Sequence, residues 1–288
     1  MIKLLITDLD DTLYSWIGFF IPAFYGMVEE LSHILGKSTE ELLAEYKHVH
    51  QEKGSVEFPY STMLLPSVQA LYPNCTKEEL QKELNPAFHR FNSIRKRQLS
   101  LYPNVKETLN ELAHLNIKIV GYTESAEENG FYRLQKLGVD CLFTRVYVSE
   151  SQFIRPAHHP SSPKTQIVQG KKPNPRVLVQ ICNNESIRVE DTIYIGDSLT
   201  KDIYMAELAG ITSVLCKYPV DTEKSDDLYQ KLVVISNWTE ADFENEIQIK
   251  ELCQKNNIHP DYTVDSFEQI IPIIQSINNM GPQDEMDN

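Results

Sequence analysis

No run of apolar residues in this chain approaches the roughly 20 needed to cross a bilayer as a helix. The amino terminus lacks a basic segment followed by an apolar stretch and a small-residue cleavage site, so no secretion signal is expected. Paired cysteines are missing too. Cys75, Cys141, Cys182, Cys216 and Cys253 are scattered without a C-x-x-C pair, which argues against a disulfide framework or a zinc site. The expectation is a cytoplasmic protein with reduced, mostly buried thiols and no membrane contact. Positive charge is also scarce, with 27 Lys and Arg against 41 Asp and Glu. From Asp221 to Asn288, 15 acidic residues face 4 basic ones, so this tail holds most of the net charge of −14. Such a surface repels phosphate backbones and speaks against a nucleic-acid partner; a solubilising acidic face accounts for it. Internal repeats and low-complexity tracts are absent.

What the chain does have is alternation. "IKLLIT", "IKIVGYT", "LFTRVYVS", "TIYIGD", "TSVLC" and "DYTV" are short, β-branched-rich and non-alternating, as strands buried on both faces are. Helical patterns separate them. "NVKETLNELAHL" puts Val105, Leu109, Leu112 and Ala113 on one stripe, and two other helices end at Gly138 and Gly210, suited to a left-handed cap. The pattern predicts an α/β fold, a doubly wound Rossmann-like parallel sheet. It is interrupted once. From Trp16 to Leu99 no parallel-type strand is apparent, while Phe24, Met27, Val28, Leu31, Ile34 and Leu35 form a helical stripe ending at Gly36. "STEE" (Ser38 to Glu41) and "TKEE" (Thr76 to Glu79) read as capping boxes. The expected organisation is a core of residues 1–15 and 100–288 with an all-helical insertion over 16–99. Residues 149–170, rich in proline and serine, read as a long surface loop. Residues 217–259 hold a strand-like "KLVVIS" and an acidic helix-like piece.

In a doubly wound sheet, ligands bind beyond the carboxyl ends of the strands. At those ends stand Asp8, Asp10 and Asp11 after the first strand, then Thr123, Glu124 and Ser125, then Lys172 in "GKKPNP", then Asp197 and Ser198, with Asp202 further along. Carboxylates crowded at one point repel unless a hard divalent cation or a proton neutralises them, and Mg²⁺ often binds through one or two carboxylates plus a substrate phosphate. An aspartate is a competent nucleophile toward phosphorus. A second one two residues on, on the same side of an extended backbone, can protonate the leaving oxygen and then activate water. Lysine and threonine would neutralise and orient the phosphoryl oxygens.

"DLDDTL", "GYT", "GKKPNP" and "GDSLTKD", in this order at strand ends, resemble the four motifs of the haloacid dehalogenase superfamily. The insertion resembles that superfamily's C1-type cap, and the likeness covers the strand framework through Gly210 and extends to "DYTVDSFEQI" at the end. It implies that Asp8 is the nucleophile and a metal ligand, and that Asp10 is the general acid/base whose carbonyl also binds metal. It further implies that Thr123 and Lys172 hold phosphate, that Asp197 binds the metal, and that Asp202 binds metal or acts through neighbours. Lys172 is preferred to Lys171 because it directly precedes proline. Asp10 favours phosphate-ester over carbon–halogen cleavage, since a halide leaves without a proton. The implied activity is Mg²⁺-dependent hydrolysis of a small, soluble phosphorylated substrate. Phosphotransfer or phosphomutase chemistry on the same fold, and non-catalytic binding in the same pocket, stay open, as do the substrate and the oligomeric state.

Other features have plainer readings. Asp11 is expected to be structural or solvated. His158 and His159, without spaced partners, belong to an exposed loop. Arg90, Arg95, Lys96 and Arg97 are expected on a solvated helix face, with contact to an anionic substrate as the alternative, and Tyr14 and Trp16 are expected either to pack or to border the substrate.

Overall fold

In the computed structural model, the structure describes residues 1–58, 60–151, 162–218 and 222–279. Among the described residues, seven strands form one sheet: β1 (Leu4–Thr7), β2 (Lys118–Ala126), β3 (Arg145–Ser149), β4 (Thr165–Val168), β5 (Thr192–Gly196), β6 (Thr212–Cys216) and β7 (Tyr262–Val264). Their order across the sheet is β4-β3-β2-β1-β5-β6-β7, and every pairing is parallel. β1 is central, with Leu4 opposite both Lys118 and Thr192. Its four residues are fully buried, as expected for a strand covered on both faces. On one face Leu4, Ile6, Val120, Tyr122 and Tyr194 pack with Leu178 and Ile181 of helix Pro175–Glu185 and Met205 of helix Tyr204–Ala209. From β1 the chain builds outward to β4 on one side, then restarts at β5 on the other. That reversal opens a crevice at the carboxyl ends of β1 and β5, where a doubly wound sheet binds ligands.

Cα packing divides the chain into two units: Met1–Tyr14, Leu101–Pro219 and Glu246–Asn288, which carry the sheet, and Ser15–Ser100 with Val220–Asn245. Between Ser15 and Ser100 the described residues contain helices and no strand. Helix Trp16–Leu35 ends at Gly36 with φ 64°, the left-handed conformation in which a side chain would be strained. Ser38–Glu41 and Thr76–Glu79 both close reciprocal capping boxes.

Three features depart from the sequence-based expectations. "KLVVIS" is helical, the end of helix Thr222–Ile235. Leu228 and Ile235, seven residues apart on one face, are buried while Val233 and Val234 are exposed, so tertiary burial of a helical stripe overrides β-branched propensity. Tyr25 Oη donates to Lys231 O and His50 Nδ1 to Ile235 O. The segment Val220–Asn245, expected in the core, therefore clusters with the helical unit. Residues 149–170 are not loop throughout, because Thr165–Val168 pairs with β3 as an edge strand whose Val168 is buried and Ile167 exposed. His158 and His159 lie outside the described residues.

Candidate active site

The rim begins where β1 stops. Asp8 N–H donates to Ile195 O of β5 at 2.9 Å, continuing the ladder by one residue and fixing Asp8 at the crevice. The chain then turns sharply. Asp11 adopts φ 57°, a conformation aspartate tolerates better than bulkier residues, and its N–H bonds Tyr14 O at 2.8 Å. This gives Asp11 a structural part in the loop.

Lys172 is buried and joins the two acidic stations. Its Nζ donates to Asp8 Oδ1 at 2.6 Å, Asp202 Oδ1 at 2.8 Å and Tyr194 Oη at 2.9 Å. The neighbouring Lys171 is exposed. Asp202 is held on both oxygens: Tyr194 Oη donates to Oδ1 at 2.7 Å and Ser198 N–H to Oδ2 at 3.1 Å. A π-type turn at Leu199–Ile203 places it, a distortion that recurs at functional sites. Gly196 makes room, since a Cβ there would lie 2.5 Å from Asp202 Cγ. Glu124 ties the neighbouring loops by accepting from Lys172 N–H at 3.1 Å and Lys201 Nζ at 2.8 Å.

Carboxylate oxygens of Asp8, Asp197 and Asp202 lie within 4.8 Å of one another. Burial pushes the Asp8 carboxyl well above its ordinary range; Lys172 opposes that rise, and Asp202, Asp197 and Asp10 add to it. Desolvation, then the Asp202 and Asp11 charges, push Asp197 up to about 7. Asp197 is nevertheless exposed, so crowding by like charge is the cause that holds for it. Burial works against the Lys172 charge, but Asp202 and Asp8 outweigh it and hold the ammonium well above its ordinary value. Three carboxylates thus meet one buried ammonium. An all-oxygen donor set carrying surplus negative charge fits a hard divalent cation.

Asp10 stands in a separate environment. Arg133 Nη1 donates to its Oδ1 at 2.6 Å, while Thr123 Oγ1 at 3.2 Å and Ser125 Oγ at 3.0 Å donate to Oδ2. The structure thus brings Asp8, Lys172, Asp197 and Asp202 into one cluster, and Asp10 and Thr123 into an adjoining one. Arg133 and Tyr194 escape a reading by motif, whereas Glu124 stands among the strand-end residues and Lys201 inside "GDSLTKD" without an assigned role. Arg133 sits in the first turns of helix Gly130–Leu137, which starts at the rim after β2, and that position was the available signal.

The chain is similar to several known proteins. A glyceraldehyde 3-phosphate phosphatase of Methanopyrus kandleri is 26% identical over 233 residues, covering 79% of this chain and 90% of its own. A second, from Methanocaldococcus jannaschii, is 22% identical over 278 residues, covering 96% and 99%. Among solved structures, a 2-haloacid dehalogenase from Pseudomonas syringae pv. Tomato shares the fold at a TM-score of 0.55 and 18% identity, over 96% of this chain and 99% of that one. The family model for haloacid dehalogenase-like hydrolases matches residues 2–210, from β1 through the Asp202 turn and its helix, and the chain belongs to that family.

Proposed function

We propose that this hydrolase cleaves phosphomonoesters of small metabolites through an aspartyl-phosphate on Asp8. The observation that carries the reading is the division between its two leading aspartates. Asp8 is paired with Lys172 inside the acidic cluster, whereas Asp10, two residues on, is held by hydroxyls and a guanidinium. Two carboxyl groups in contrasting environments suit two roles, nucleophile and proton carrier. A carbon–halogen substrate would give Asp10 no proton to supply. The relatives named for glyceraldehyde 3-phosphate support a short phosphorylated substrate of that class.

In the first step an Asp8 oxygen attacks phosphorus. The bond from phosphorus to the ester oxygen breaks, its electron pair stays on that oxygen, and Asp10 supplies the proton that makes it an alcohol. In the second step a water oxygen attacks the same phosphorus while Asp10 takes its proton, and the bond to Asp8 breaks to restore the carboxylate. Lys172 neutralises Asp8 and stands ready for phosphoryl oxygens, and the Thr123 hydroxyl is a donor beside them. Asp8 and Asp197, with the Asp10 carbonyl, would hold Mg²⁺, which when bound neutralises the phosphate charge and orients it. Asp202, already engaged by Lys172, Tyr194 and Ser198, is assigned to holding Lys172.

A panel of phosphomonoesters assayed with Mg²⁺ and with EDTA tests the reading. Phosphate release that needs Mg²⁺ and falls at least about 10³-fold in Asp8→Asn is expected. Unchanged turnover by that variant would remove Asp8 as nucleophile.

A further inference from the structure

Arg133 lies in no motif, yet its side chain is 3% exposed and its guanidinium donates to Asp10 and, at greater length, to Ser125. Burying a guanidinium is costly unless it is paired and hydrogen-bonded, so this contact is built rather than incidental. The backbone prepares it. Gly130 opens the helix against the end of β2, and a Cβ there would lie 3.0 Å from Thr123 Cγ2 and 3.3 Å from Ser125 Cβ. That close approach sets Arg133, one turn later, within reach of the loop after β1.

The bond pattern is directional. A guanidinium only donates, so Asp10 Oδ1 is committed as an acceptor wherever Arg133 is bound. Oδ2 meets Thr123 and Ser125, whose hydroxyls can either donate or accept. Ser125 Oγ also accepts from Arg133 at 3.3 Å, and Thr123 Oγ1 accepts the Ser125 N–H at 3.0 Å, and each hydroxyl keeps a second lone pair with which to accept from a protonated Oδ2. A proton on Asp10 can therefore rest on Oδ2, beside Thr123, and not on Oδ1.

Resting on the phosphatase reading above, we propose that Arg133 is a positioning residue for the proton transfer: it claims Oδ1 of Asp10 and leaves Oδ2 as the oxygen through which the proton passes to the leaving alcohol. Without it the carboxyl group is free to turn, and the proton is presented at the wrong oxygen.

The test compares an unactivated alkyl phosphomonoester, whose leaving oxygen needs the proton, with p-nitrophenyl phosphate, whose phenolate leaves without one. Arg133→Gln keeps a polar side chain but adds an acceptor, and Arg133→Lys keeps a donor-only cation. In Arg133→Gln, kcat/KM on the alkyl ester, which covers only the steps through departure of the leaving group, should fall by about 10²-fold or more, the range of general acid catalysis, while kcat/KM on the aryl ester falls far less. Arg133→Lys should restore much of the alkyl-to-aryl ratio. In an Asp10→Asn background, Arg133→Gln should cost the alkyl ester nothing further, because Arg133 acts through Asp10. Equal falls on both esters, or full additivity with Asp10→Asn, would overturn the assignment and leave Arg133 a structural ion pair. Wild-type protein that hydrolyses neither ester removes the phosphatase reading, and this inference with it.

Discussion

Replacing Lys172 by methionine removes the ammonium from between Asp8 and Asp202 while keeping an unbranched side chain of similar length. Asp202 retains Tyr194 Oη and the Ser198 N–H, but Asp8 loses a 2.6 Å partner while still buried. Removing one member of a buried pair costs about 3–5 kcal/mol. At roughly 2–4 °C per kcal/mol for a domain of this size, the midpoint should drop by on the order of 6–20 °C. The pH dependence follows from the direction of the Asp8 shift. Its folded value lies above its unfolded one, so the native state binds the extra proton, and stability falls as pH rises from the ordinary carboxylate range through the raised value. In Lys172→Met a proton can stand in for the lost ammonium in mild acid but not in mild base. The deficit should therefore be larger at pH 8 than at pH 5. Urea unfolding followed by circular dichroism, in EDTA, reads both values. Added Mg²⁺ should then recover part of the loss at pH 8, by binding the native carboxylates. A Lys172→Met protein as stable as wild type at pH 8 in EDTA would refute the claim that this lysine neutralises a buried acidic cluster.

Two further outcomes are expected. His50 is buried in the helical unit, donates from Nδ1 to Ile235 O at 2.8 Å, and has its value lowered by burial, so the fold holds it neutral. Its contribution should be complete above about pH 6.5, the ordinary histidine value, and lost as pH falls through the lowered folded value. Comparing urea midpoints of wild type and His50→Asn at pH 8 and pH 5 isolates it; the variant should show the smaller acid-induced loss. Gly196→Ala would set a methyl 2.5 Å from Asp202 Cγ, so Asp202 must move, and Lys172 with it. Stability should fall by about 1–3 kcal/mol, and phosphatase turnover should fall further than that loss explains, as thermal unfolding and steady-state kinetics on one preparation would show.

The strands and the rim were legible because burial on both faces and acidic strand ends both write themselves into short stretches of sequence. "LLIT" followed by Asp8 is such a stretch, and so is "TIYIG" followed by Asp197. The capping boxes at Ser38 and Thr76 were legible for the same local reason. What escaped depends on distant partners. "KLVVIS" has strand propensity, but its burial is decided by helices some 180 residues earlier, including the one carrying His50. β4 offers four residues in a proline- and serine-rich stretch, too few for a period to show. Arg133 stands in an amphipathic helix beside buried Phe131 and Leu134, where an arginine would be placed on the solvated face. Only the approach of Gly130 to Thr123 and Ser125 turns it inward, and that is a tertiary fact. Tyr194, an apolar strand residue by pattern, becomes a site residue through its hydroxyl, which meets Lys172 and Asp202.

The most direct measurement is the location of the covalent phosphate. Asp10→Asn lacks the base that activates water, and p-nitrophenyl phosphate needs no proton to leave, so this pair should stall after the first step. Acid-quenched during turnover with Mg²⁺, then digested and analysed by peptide mass spectrometry, the variant should carry phosphate on Asp8. Phosphate found on any other residue, or an Asp8→Asn protein that still turns over at the wild-type rate, would contradict the account.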